Sequence, residues 1–180
     1  MKNMIFACEW ARNKETSWSG TNMAVRTRLE KDFNVIDFDY GIRKPYGFMA
    51  KVMQKAFHKN IDVTSHYSKV FAKKYKGNNV IFQFGEMPDA YDPSNKHFLY
   101  QDLSWANVKR MMDNESDIFK VSNYERYDSN AINQFSDRQN AFLRKDNVYC
   151  LTMGQWLTKF FVEELHLPKE RVCVVGGVAI

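Results

Sequence analysis

Met4-Ile5-Phe6-Ala7-Cys8 decides the fold. Five apolar residues in a row, without the polar alternation of a half-exposed strand, read as a strand covered on both faces, as in a parallel sheet. A polar loop follows from Glu9 to Gly20, containing Trp10, Trp18 and Ser19. A helix is then expected over about 21–31, capped by Thr21 or Asn22, with Val25 and Leu29 on one face.

Outward from this start, strands and helices alternate. Val35-Ile36-Asp37-Phe38 reads as a second strand, followed by helical stretches near 45–59 and 62–76. Asn79 to Phe84 reads as a third strand ended by Gly85, and Phe98-Leu99-Tyr100 as a fourth ended by Gln101-Asp102. A helix is expected near 104–112, while the polar stretch 113–130 carries no clear period. A helix over 133–144 leads to a strand from Val148 to Met153. The next helix, Gly154 to Leu165, repeats Leu157, Phe161 and Leu165 every fourth residue and stops before Pro168. Val172 to Val175 is the last strand, broken by Gly176-Gly177. The pattern predicts an α/β fold, Rossmann-like, with a mostly parallel sheet, helices on both faces, and a single domain over 1–180.

Composition narrows the class. With 44% hydrophobic and 15% aromatic residues, the chain can build a core, which excludes disorder. Glu9 breaks the first apolar run too early for a signal peptide, and no run approaches the ~18 apolar residues of a membrane span. The expected location is cytoplasmic, soluble or peripheral at the inner face of the membrane. Cys8, Cys150 and Cys173 are far apart, each in an apolar run, and there is no CxxC pair; they read as buried core thiols, with no metal site expected. None of His58, His66, His97 and His166 forms a metal-ligand spacing with another, and none is given a catalytic role.

Parallel sheets bind ligands beyond the carboxyl ends of their strands. Candidate positions are therefore Glu9 to Thr21, Gly85-Glu86, Gln101-Asp102 and Met153-Gly154. In Ser17-Trp18-Ser19-Gly20-Thr21, a glycine before a helix lets the backbone approach a phosphate at the helix N-terminus. The dinucleotide and P-loop fingerprints are absent, and an ordinary turn with a helix cap is the alternative. Asp102, at a strand end, suits a base or a partner for sugar hydroxyls, or else caps the next helix. Glu86 is a ligand carboxylate or a solvated loop residue.

Charge is uneven. Between residues 43 and 76 nine basic residues face one acid, Asp62, a net +8 in a chain of +5, so the remainder carries −3. Lys51, Lys55 and Lys59 form one helical stripe beside Phe48, Val52, Met53, Ala56 and Phe57. Such a helix suits an anionic membrane or an acidic acceptor, or is the solvated outer face of a packed helix. No nucleic-acid motif accompanies it, and no nucleic-acid partner is expected.

Tyr149-Cys150-Leu151-Thr152-Met153-Gly154-Gln155-Trp156-Leu157, with Leu167-Pro168-Lys169-Glu170-Arg171-Val172-Cys173-Val174-Val175-Gly176-Gly177-Val178, resembles the end of the N-terminal domain in GT-B glycosyltransferases, especially family 4 (group 1). The Ser19-Gly20-Thr21 loop is similar to the glycine-containing loop that faces the nucleotide-sugar phosphates in that family. The chain departs from the family in two places. Its crossover reads Val-Val-Gly-Gly-Val, and the strand that often ends there in histidine ends here in Gln101-Asp102.

The resemblance implies transfer of a sugar from a nucleotide-sugar to a saccharide or lipid-linked acceptor, without a required metal or other cofactor. Asp102 would be the catalytic group, Ser19, Gly20 and Thr21 the donor-phosphate loop, and Trp18, Glu86, Gln101, Met153 and Gly154 the acceptor side. The donor-binding C-terminal domain would lie outside these 180 residues, in cis or in trans, leaving this chain alone inactive. Two other classes remain at this point. One is a non-catalytic Rossmann-like module docking on an anionic membrane or polyanion through Lys51, Lys55 and Lys59. The other is a small nucleotide-dependent enzyme of flavodoxin-like fold.

Overall fold

A computed structural model describes residues 1–10, 14–15, 20–41, 52, 56, 63–85 and 90–176. It has the expected Rossmann-like α/β fold, with a six-stranded parallel sheet and intervening helices. The six apolar runs read as strands all form strands. The chain divides into two compact units, Met1–Tyr100 and Gln101–Gly176, apart from its last residues.

The first unit contains β1 (Lys2–Cys8), α1 (Thr21–Leu29), β2 (Phe33–Asp39), α2 (Val63–Lys74), β3 (Val80–Phe84) and most of β4 (Lys96–Gln101). Its strand order is β2-β1-β3-β4. β1 pairs with β2 from Lys2↔Phe33 to Cys8↔Asp39, and with β3 from Met4↔Val80 to Ala7↔Gln83. β3 pairs with β4 from Val80↔Lys96 to Phe84↔Tyr100. Because side chains alternate across a strand, these registers sort the residues onto two faces.

On one face Ile5, Ala7, Ile81 and Ala90 pack with Phe71 of α2, bordered by Phe38, Tyr40 and Tyr75. On the other, Phe6 stacks on Phe82 at 5.6 Å and on Trp10 at 5.8 Å, and Phe84 lies 4.6 Å from Tyr100. Each such aromatic pair adds about 0.5–1.5 kcal/mol beyond area burial. α1 joins this second face through Arg26, which holds Asp37 of β2 at 2.7 Å. The two helices thus cover opposite faces, which is why β1 is apolar along both.

The second unit contains α3 (Trp105–Asp113), α4 (Asp117–Val121), a 3-10 turn at Asn123–Arg126, α5 (Ser129–Leu143), β5 (Val148–Thr152), α6 (Gln155–Lys159) and β6 (Val172–Val174). β5 and β6 are parallel, from Cys150↔Val172 to Thr152↔Val174. Trp105 of α3 meets Tyr124, Tyr127 and Phe135 at 4.7–5.5 Å, fastening the 113–130 stretch to α5.

The sequence reading needs adjustment at several helices. α5 starts at Ser129, ahead of the expected 133, because Asp128 caps it by accepting from the Ala131 amide at 2.8 Å. The helix expected over 154–165 is α-helical only to Lys159 and continues as a π-turn over Phe160–Glu164. Leu157 and Phe161 are buried there as the repeat required. Of the helix expected at 45–59, only Val52 and Ala56 are among the described residues; both are helical and exposed.

Candidate functional site

In the first unit β1 has β2 on one side and β3 on the other, so the chain leaves its carboxyl end in one direction and approaches from the opposite one. That reversal makes the β1/β3 boundary the switch point where such sheets open a crevice. α1 begins there. Its N-cap is Gly20, at φ 86°, with no side-chain cap hydrogen bond. The expected caps Thr21 and Asn22 do not serve. Thr21 is the first helical residue, and Asn22 is buried, its Nδ2 donating to the Glu9 carbonyl at 3.5 Å. A left-handed cap favours glycine, and an uncapped first turn offers amide N–H groups to an anion.

The strand ends are stitched together. Asp39 Oδ1 accepts from the Gly41 amide at 2.8 Å and the Trp10 amide at 3.3 Å, joining the ends of β2 and β1. Gly85, at φ 74°, follows β3, and a Cβ there would stand 2.8 Å from the Tyr40 hydroxyl. Behind this shelf, Asp37 takes Arg26 Nε at 2.7 Å and Lys14 Nζ at 2.9 Å, while Arg26 also reaches Glu30 at 2.5 Å. Burial pushes the Asp37 carboxyl up, but the hydrogen bonds and charges of Arg26 and Lys14 outweigh it and hold the group below its ordinary value.

Gln83, the last residue of β3 paired with β1, is fully buried, yet neither its Nε2 nor its Oε1 has a hydrogen-bond partner. Trp10 Nε1 is buried in the same condition. Each such group costs about 1–3 kcal/mol, and folded interiors pair nearly all of them. Sequence reasoning passed over Gln83; the available signal was a lone amide in the apolar run Val80–Phe84.

In the second unit the expected residues come together. The Met153 amide donates to the Gln101 carbonyl at 3.0 Å, bringing Gln101-Asp102 beside Met153-Gly154. Gln101 is buried and Asp102 exposed. The cap of α3 is Ser104, whose hydroxyl accepts from the Asn107 amide at 3.1 Å, so the capping role considered for Asp102 belongs to Ser104. Asn107 is itself buried, and its Nδ2 has no hydrogen-bond partner. Gly154 is the extended N-cap of α6, and a Cβ there would stand 3.0 Å from Trp156 Cδ1. Beneath it the buried Thr152 hydroxyl pairs with the Thr158 hydroxyl at 2.5 Å.

Cys8, Cys150 and His97 are buried. Burial drives the Cys8 thiol far up, reinforced by Asp37 and Asp39, and pushes Cys150 up to about 12, so neither offers a thiolate at neutral pH. Cys173, expected in the core, is exposed, because on β6 only Val172 is buried. His97 is buried in β4 with its ring on Tyr91 at 5.7 Å; burial lowers its pKa against the opposing pull of Asp92. Among the described residues no three His, Cys, Asp or Glu side chains gather as a metal set, and no helix is long and apolar enough to cross a membrane.

Trp18, Ser19, Glu86, Lys51, Lys55 and Lys59 lie outside the described residues. The described part of the basic segment is α2 and the turn after it, where Lys69, Lys73, Lys74 and Lys76 are exposed and no acid occurs from Val63 to Lys76.

No protein-family model matches this chain, and a search of curated proteins gives no match.

Proposed function

We propose that this chain is the acceptor-side domain of a glycosyltransferase that moves a sugar from a nucleotide-sugar to a saccharide or lipid-linked acceptor, working with a donor-binding domain. The observation that carries the reading is the start of α1 at the switch point of the sheet: Gly20 is left-handed and the helix has no side-chain cap. Amide N–H groups so placed suit the phosphates of a donor, in a chain that lacks the dinucleotide and P-loop fingerprints. Strand β5 leading into α6 at Gly154, and Pro168 leading through a 3-10 turn into β6, fit the sequence resemblance. In this reading Asp102, exposed and not used as a cap, is the catalytic group. It would orient the acceptor hydroxyl or accept its proton, and catalysis would rest on positioning and electrostatics, without a required metal.

The test is a titration of the labelled chain with UDP-glucose, followed at the Gly20 and Thr21 amides. Weak, saturable shifts at these amides, with no turnover, are expected. Robust sugar transfer by the 180 residues alone, or no response at Gly20 and Thr21, overturns the proposal in this form.

A second reading, a module that docks on anionic membranes, is favoured by the exposed Lys69, Lys73, Lys74 and Lys76 with the exposed Val70 on α2. Co-sedimentation with anionic vesicles at low salt tests it, and absence of binding there removes it. Both readings place the protein in the cytoplasm, the second at the inner face of the membrane.

A further inference from the structure

We propose that Trp156 is the platform on which the acceptor lies: one ring of a neutral saccharide stacks on its indole face, with hydroxyl groups toward Asp102. That the stacked ring belongs to an acceptor rests on the glycosyltransferase reading; the stacking surface itself rests on Trp156 and its surroundings.

Three observations carry it. First, Trp156 is 51% exposed, whereas Trp10 is buried and Trp105 packs against Tyr124, Tyr127 and Phe135. The core does not need it. α6 and the π-turn after it bury Leu157, Phe160 and Phe161, and these three, at i, i+3 and i+4, fill the stripe that faces inward. Trp156 lies off that stripe and keeps a large apolar surface in water, so its indole contributes little to folding.

Second, the ring is placed. A Cβ on Gly154 would stand 3.0 Å from Trp156 Cδ1 and 3.1 Å from Nε1, so the five-membered ring of the indole takes the space that a side chain at 154 would need. Gly154 follows Met153, whose amide donates to the Gln101 carbonyl at 3.0 Å, and the exposed Asp102 comes directly after Gln101. An aromatic surface and a carboxylate thus stand at the carboxyl ends of β5 and β4, where ligands of parallel sheets bind.

Third, local charge sets the ligand class. Residues 101–104 and 152–157 contain one acid, Asp102, and no lysine, arginine or histidine. A phosphate or carboxylate would meet only like charge from these two segments. A neutral sugar fits both groups: its C–H bonds turn their positive ends to the negative face of the indole, and its hydroxyls donate to the carboxylate.

The experiment uses the labelled 180-residue chain and its Trp156→Ala and Trp156→Phe variants. Methyl glycosides of glucose, galactose, mannose and N-acetylglucosamine are titrated, with uridine and inorganic phosphate as comparisons. In the wild type, the Trp156 indole N–H and the Asp102 amide should move along one saturation curve with at least one glycoside, and stay still with phosphate. Followed at the Asp102 amide, Trp156→Ala should weaken that glycoside about tenfold, and Trp156→Phe, which keeps a smaller ring, should weaken it less. Both variants should melt within about 2 °C of the wild type, because the residue is exposed.

A Trp156 indole that no glycoside moves overturns the proposal, in a measurement that needs no variant. So does an unchanged Asp102 response in Trp156→Ala, or a larger drop in melting temperature, which would make the indole a packing element. A stronger response of Trp156 to uridine or phosphate than to every glycoside also overturns it. Failure of the glycosyltransferase reading is seen separately, as Gly20 and Thr21 amides that ignore UDP-glucose while Trp156 still answers to a glycoside.

Discussion

The two units end their strands in opposite ways. In the first, the ends of β1, β2 and β3 are closed by backbone: glycines at 41 and 85, a carboxylate bonded to two amides, and a fully buried amide at Gln83. In the second, the end of β4 carries an exposed carboxylate, Asp102, next to a helix that Ser104 caps without its help. The lesson concerns cost. The buried amide is held at the expense of stability, whereas the exposed carboxylate is nearly free to keep. Side chains of these two kinds should therefore respond differently to substitution.

The sharpest way to break the comparison is to attack packing. Phe71 is fully buried among Ile5, Ala7 and Ile81, so Phe71→Ala should lose about 3–5 kcal/mol in urea unfolding. Trp105 in the second unit is only partly buried, and Trp105→Ala should lose less, about 1–3 kcal/mol. Equal losses would erase the distinction between a fully buried aromatic in the first unit and a partly buried one in the second.

Next comes charge. Asp37→Asn removes the partner of Arg26 and should cost about 1–3 kcal/mol at pH 7, with most of it from Arg26, since Lys14 is half exposed. The folded carboxyl lies below its ordinary value, so its contribution is complete above the unfolded pKa of about 3.9. It fades as pH falls through the folded pKa. Urea melts of the two proteins should therefore converge in acid and separate toward neutrality; a gap that persists at the lowest pH breaks this account.

The smallest effect is the most informative. Ser104→Ala should cost about 1 kcal/mol as a lost helix cap. Asp102→Asn should stay within about 0.5 kcal/mol, because it is exposed and caps nothing. Under the glycosyltransferase proposal, with a donor domain supplied, the same Asp102→Asn change should lower the transfer rate by about 10²–10⁴ if the group acts on a proton. A stability loss for Asp102→Asn matching that of Ser104→Ala would return Asp102 to a structural role.

Much of this was legible before any coordinates. Strands covered on both faces have to be apolar throughout, so Met4–Cys8 announced itself. Helix ends were harder, since caps depend on local backbone angles. The candidates Thr21 and Asn22 lost to Gly20, whose φ of 86° no composition reveals. In the polar stretch 113–130 the order comes from side-chain caps at Ser116, Ser122 and Asp128, a signal present in the residues but without apolar period. The site was half legible. Asp102, Gln101, Met153 and Gly154 follow from strand ends, and the structure brings the two pairs together. Gln83 did not follow, because the absence of a partner is a property of the whole neighbourhood and not of the residue.

The register of β1 also has a consequence in time. Synthesis delivers β1 before either of its partners, and the side on which Met4 pairs with Val80 waits for β3. At ~5–20 residues per second the ribosome needs roughly 4–15 s to make that partner. Through that interval the apolar run Met4–Cys8 keeps an unpaired edge, the kind of edge on which nascent chains aggregate. Translation speed across residues 9–80 therefore bears directly on the yield of soluble protein, and a pause within that span prolongs the exposure of β1.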